Sequence, residues 1–200
     1  MKTLLTEIKT SALLTLLFAA ILCGAYPAAV WAMGQALFHE QANGSLIRDR
    51  DGTLRGSALL AQSFTGARYF HPRPSAAGIG YDAAGSAGSN LGPTSRKLAD
   101  LIAADVAAYR ADNGLVPDAP VPADAVTRSG SVLDPHISLA NAELQARRVA
   151  RVRRLSLEQV RNLIASATDG RNWGILGEPG VNVLRLNRAL DEAAAAAAAR

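Results

Sequence analysis

The sequence predicts an α+β (or α/β) single soluble domain preceded by one N-terminal transmembrane helix. Three observations carry this. Residues 12–38 contain no charged side chain. Beyond residue 94, apolar residues recur at helical spacing behind Ser caps. Two short stretches, around Asp51-Gly52 and after Gly177-Glu178-Pro179-Gly180, read as turns into strands. Composition bounds the rest. The 200 residues carry 21 Lys plus Arg against 17 Asp plus Glu, are 49% hydrophobic and 19% charged, and hold one cysteine. So apolar a chain is not intrinsically disordered, and one cysteine builds no disulfide framework. A net charge of +4 is too weak to argue for nucleic acid. Of the 21 cations, 18 are Arg, and the first of these is Arg48, so the N-terminal stretch differs in kind from the rest of the chain.

Residues 1–11 read as a short cytoplasmic N-terminus and 12–38 as the span. Ala12 to Ala32 would rise about 31 Å as a helix, matching a hydrocarbon core of about 30 Å. Trp31 suits the interfacial belt. A cleaved signal peptide is the alternative, with Val30-Trp31-Ala32 as a cleavage-like pattern, although its apolar region is normally shorter. A lipoprotein signal fails because Leu22, not a small residue, precedes Cys23. Cys23 reads as a small apolar residue in lipid. Lys2 and Lys9 flank the span closely, whereas Arg48, Arg50 and Arg55 follow at a distance among Asp49 and Asp51. This favours a cytoplasmic start and an extracytoplasmic domain over residues 39–190.

Within that domain, Ser45–Arg48 and Thr53–Arg55 form a hairpin about Asp51-Gly52. Gly56–Phe64 fits strand or helix equally, and residues 71–95 are loop, rich in Pro and Gly. A helix follows, capped by Thr94 or Ser95, lined by Leu98, Leu101, Ile102, Val106 and Tyr109, and stopped at Asn113-Gly114. Ser138 caps the next, with Leu144 and Val152 inward and an end near Leu155. Ser156 and Gln159 make a capping box, with Leu155 and Val160 as its hydrophobic staple. Leu157, Val160, Leu163 and Ile164 give that helix its buried face. Val181–Leu186 alternates like a half-buried strand, and residues 191–200 are an Ala-rich tail, read as frayed helix.

Few motifs carry chemistry. The glycine loop Gly85–Gly92 lacks the Lys of a P-loop, since Pro93 follows Gly92. Gly78-Ile79-Gly80 resembles a dinucleotide fingerprint, but Pro72 and Pro74 occupy the place of its strand. Ser131, Asp134 and His136 resemble pieces of a membrane-anchored periplasmic hydrolase, without the GxSxG elbow. His39, His71 and His136 show no metal-ligand spacing. The densest signal is Arg147, Arg148, Arg151, Arg153, Arg154 and Arg161 against one acid, Glu158. It reads as a solvated helix face, or as a contact for an anion, anionic lipid or an acidic partner. Without interleaved aromatics it does not read as a surface for single-stranded nucleic acid, and no nucleic-acid partner is expected.

Seven ordered blocks then add a resemblance: Asn43–Ile47, Gly56–Phe64, Tyr69–Ala76, Gly88–Ser95, Val126–Ser138, Gln145–Leu155 and Gly177–Leu190. With the single span, they resemble the C subunit of the Kdp high-affinity potassium-transporting ATPase. The resemblance implies an accessory subunit of a bacterial inner-membrane complex. Its partners would be a channel-like potassium-binding subunit, a P-type ATPase subunit and a small single-span subunit, besides membrane lipid. It implies no cofactor bound alone and a catalytic chaperone that raises the ATP affinity of the P-type subunit. Gln145, Ser129, Ser131 and Arg148 would then be the place for a nucleotide contact. The chain carries neither an Asp-Lys-Thr-Gly phosphorylation motif nor a TVGYG-like filter, which fits a non-catalytic subunit. It departs from the family at Val132, where a small residue is usual, at Leu139, often Pro, and at Gly180, often Arg.

Overall fold

The computed structural model describes residues 2–49 and 51–198. Arg50, counted in the flanking charge, and Ala199 and Arg200 of the tail lie outside the described residues. The chain divides into two compact units, residues 1–55 and 56–200.

The first unit is mostly one long helix: α1 (Lys2–Ala19), a π-helical turn (Ala20–Ala25) and α2 (Tyr26–Leu37). Helix therefore begins well before residue 12. Pro27 explains the π turn, because its ring crowds the carbonyl four residues back and it has no N–H to donate. Widening the preceding turn lets the Tyr26 N–H reach Ile21 O instead. Thr3–Leu37 has a mean hydropathy of 2.1 in its most apolar window, and none of that window is buried within the chain. This is one helix long and apolar enough to cross a membrane. Phe38 leaves helical geometry, with φ −137°, and α3 (His39–Ala42) follows. The hairpin is present: β1 (Leu46–Arg48) pairs with β2 (Leu54–Ser57), and Gly52 turns at φ 83°.

The second unit is helical with a small sheet. Residues 58–95 are irregular apart from a short 3-10 turn at Ala83–Gly85, so the undecided stretch after Gly56 is neither long strand nor helix. Ser95 caps α4 (Arg96–Asn113) by accepting from the Leu98 N–H, and Gly114 ends it in the left-handed region. α5 (Ala123–Val126) and β3 (His136–Ile137) lead into α6 (Leu139–Arg153), capped by Ser138. α7 (Leu157–Ser166) starts with the full capping box of Ser156 and Gln159. β4 (Thr168–Asp169), β5 (Gly180–Asn182) and α8 (Val183–Ala198) complete the chain. The sheet order is β3-β5-β4, antiparallel throughout, with Val181 opposite both Ile137 and Thr168.

Two expectations are corrected. The strand over Val181–Leu186 stops at Asn182, whose side-chain oxygen accepts from the Arg185 N–H and so starts a helix. Val183, Leu186 and Leu190 then fall on one buried helical face rather than on alternate sides of a strand. Val152 is exposed; α6 instead turns Ala142, Ala146 and Val149 inward, against Val160 and Ile164 of α7 and Leu186 and Leu190 of α8. Alanines on α6 let these helices approach closely. Each large apolar side chain taken from water there contributes about 1.5–3 kcal/mol.

Candidate functional site

The irregular segment around residue 70 is held by side chains rather than by a sheet. Asn187 of α8 accepts from the Phe70 N–H (2.8 Å) and donates to Phe70 O (2.9 Å). Gln145 of α6 does the same for His71, at 2.7 and 3.0 Å. Two carboxamides thus act as substitute strand partners for consecutive residues, satisfying backbone groups that burial would otherwise leave costly. Asn182 supplies one half of the device, donating to Ala58 O at 2.8 Å while its oxygen accepts from the Arg185 N–H.

Gln145 belongs to a polar stripe along the buried side of α6. Asn141, Gln145 and Arg148 fall four and three residues apart, one above the other on one face. Asp124 accepts from Ser138 and Asn141, the Asn141 oxygen accepts from Tyr109 and Gln145, and Gln145 accepts from Arg148. Arg148, only 3% exposed, also donates to Asn113 Oδ1 (3.0 Å), Ala67 O (2.6 Å) and Tyr69 O (2.9 Å). Burial lowers its pKa, against the pull of Asp112 and Tyr109, yet guanidinium stays charged. Burial, with Arg148 nearby, also lowers the pKa of His71, which the Gly66 carbonyl and Asp112 partly oppose. The Arg-rich run is therefore not one solvated face. Arg148 is buried, and Arg153 donates to Arg68 O and Asp191 while lying over the Tyr69 ring. Arg161 pairs with Glu143, and Arg147, Arg151 and Arg154 stay exposed.

Ser129 and Ser131 sit elsewhere, on an open cleft of about 640 Å³ lined also by Leu60, Arg73, Arg128 and Asp134. Arg73 is tied to Asp134 at 3.0 Å and Arg128 to Asp105 at 2.5 Å. Val132, beside the serines, holds φ 55°, a left-handed conformation that a β-branched residue adopts at a cost of about 1–3 kcal/mol. Of the four residues expected at a nucleotide contact, the fold thus joins Gln145 to Arg148 in a saturated network and places Ser129 with Ser131 on the cleft.

His136 ends a chain of alternating charges. Its Nε2 meets Asp169 at 2.8 Å and its Nδ1 faces Asp134 at 3.6 Å, while Arg185 holds Asp169 at 2.9 Å. The Asp134 carboxylate, against partial burial and with help from Asp169, raises the His136 pKa. Ser131 Oγ instead accepts from the Leu133 N–H. With Nε2 held by Asp169, Nδ1 facing Asp134, and no hydrogen bond between the ring and Ser131 Oγ among the described residues, His136 is not placed as a base for Ser131, and the hydrolase reading is not favoured. His71, Asn113, Asn141 and Asn187 are site residues that sequence reasoning missed. The spacing of Asn141, Gln145 and Arg148 was a usable signal for the stripe.

The class these features define is a protein with one long apolar N-terminal helix and an α+β domain stapled by buried amides. The profile of the family described as KdpC, K+-transporting ATPase c chain, matches residues 8–192, and the chain belongs to that family. It is 58% identical over 176 residues to the potassium-transporting ATPase KdpC subunit of Mycobacterium tuberculosis (strain ATCC 25618 / H37Rv), covering 88% of this chain and 93% of that one. The subunit of the same name from Myxococcus xanthus is 52% identical over 191 residues, covering 94% of this chain and 87% of that one.

Proposed function

We propose that the chain is a non-catalytic accessory subunit of a high-affinity, ATP-driven potassium uptake pump. It sits in the bacterial inner membrane with its N-terminus cytoplasmic and its domain periplasmic. There it stabilises a complex with a channel-like potassium-binding subunit, a P-type ATPase subunit and a small single-span subunit. The observation that carries this reading is the bare helix Thr3–Leu37 in a chain of this family. An apolar surface of that length is stable only under lipid or protein cover.

Raising the ATP affinity of the P-type subunit is the second half of the proposal. From a periplasmic domain the effect travels as a coupling through that subunit's membrane helices, of the usual size of about 1–3 kcal/mol. A direct nucleotide contact would instead use Ser129 and Ser131 on the cleft; Gln145 and Arg148, engaged in the buried network, would have to be released to join it. The test is the potassium-stimulated ATPase of the purified complex with and without this chain. Its presence should lower the half-saturating ATP concentration by about 5–150-fold. An unchanged value would sink the chaperone role. Loss of the effect on replacing Ser129 and Ser131 by Ala, with assembly intact, would favour direct contact.

A further inference from the structure

Between β4 and β5 the chain folds back on itself in a small hairpin that the pump-subunit reading leaves unexplained. Asn172 and Leu176 exchange backbone hydrogen bonds of 2.9 and 3.0 Å, and the Ile175 N–H donates to Asn172 O. Trp173 and Gly174 both have positive φ, 53° and 78°, as in a type I′ turn. That turn prefers Asn or Asp before its Gly, because few other residues enter the left-handed region cheaply. A tryptophan there works against the local backbone. It is also 88% exposed, beside Ile175 at 74% and Leu176 at 51%. A hydrogen-bonded turn therefore presents three exposed apolar side chains within four residues, led by a residue type enriched in binding hot spots.

Charge decides between a bilayer and a protein as the occupant. Arg171, at the base of the hairpin, is already held by both carboxylate oxygens of Glu178, at 2.9 and 3.0 Å. The tip thus brings no free cation, and attraction to an anionic lipid surface needs one. An apolar tip rimmed by neutralised charge fits a protein socket, where the rim excludes water from the centre. We propose that the hairpin 171–178 is a docking tip that seats Trp173 and Ile175 in an apolar socket on the water-facing surface of another subunit of the same pump. This rests on the accessory-subunit reading above.

The test uses the full chain with Trp31→Phe, which leaves Trp173 as its single tryptophan. In the chain alone in lipid nanodiscs, Trp173 should emit at long wavelength and be quenched by acrylamide. In the assembled pump, with the other subunits' tryptophans subtracted using a chain that also carries Trp173→Phe, emission should shift to shorter wavelength and escape acrylamide. The second variant is Trp173→Asn, which suits the turn and should leave the thermal midpoint unchanged or higher. It should weaken retention by the pump about tenfold or more. Quenching by brominated lipid in the nanodiscs would make lipid the occupant and overturn the proposal. So would an assembled pump in which Trp173 stays open to acrylamide, or in which Trp173→Asn is retained like wild type. Failure of the wild-type chain to join the pump at all would instead remove the accessory-subunit reading itself.

Discussion

His136 lies between Asp134 and Asp169, which are in turn held by Arg73 and Arg185. These carboxylates raise its pKa above the ordinary histidine value, so the folded chain binds that proton more tightly than the unfolded one. Its contribution to stability is fully present below the unfolded pKa of about 6.5 and is lost as pH rises through the higher folded value. His71 works in the other direction. Its lowered pKa means that stability falls as pH drops below about 6.5 and the buried ring must take up a proton. His136→Gln should therefore lower stability most below pH 6.5 and flatten its loss on the alkaline side, leaving the slope on the acid side unchanged. Thermal unfolding across pH 5–9 measures this. The effect should stay below about 1 kcal/mol, since the His136 ring is a third open to water. An unaltered alkaline limb would show that the two carboxylates do not hold the proton. The pair was not legible in the chain, because Asp134 is close in sequence to His136 but Asp169 reaches it only across the sheet.

Among the elements, local chemistry was the readable part. Ser95, Ser138 and Ser156 each cap the helix expected of them, and Gly114 stops α4, because caps need only residues three or four apart. Val181–Leu186 misled because alternate and helical spacings coincide over so few residues; the Asn182 cap decides it. The capped start of α6 carries a prediction. Leu139 is its first helical residue, where a proline sacrifices no intrahelical hydrogen bond. Ser138 already has φ −65° and ψ 155°, the conformation that a following proline requires. Leu139→Pro should raise stability by about 0.4–1 kcal/mol. Denaturant unfolding of the variant checks it; a loss larger than about 1 kcal/mol would mean that Leu139 packs on something that its exposure conceals.

Over the whole molecule, the division into an apolar helix with its hairpin and a separately packed α+β unit has a direct consequence. The large core cluster, from Phe70 to Leu190, draws only on the second unit. Removing residues 2–37 should therefore leave a chain that unfolds cooperatively but no longer sediments with membranes. Fractionation together with thermal unfolding reads both properties. Loss of cooperative unfolding would show that the helix supports the domain rather than merely anchoring it.

Composition and near neighbours are enough for one apolar helix, the capped helices, the hairpin, and the family. How the polar residues are used is settled by folding alone. Gln145, Asn187 and Asn182 are clamps because α6, α8 and β5 bring their amides to backbone groups at Phe70, His71 and Ala58, from 74 to 124 positions away. Arg148 and Arg151 look alike in an Arg-rich run, yet one is buried with four acceptors and the other faces water. A side chain's type states which bonds it can make. Which bonds it does make depends on what the fold carries to it once water has gone.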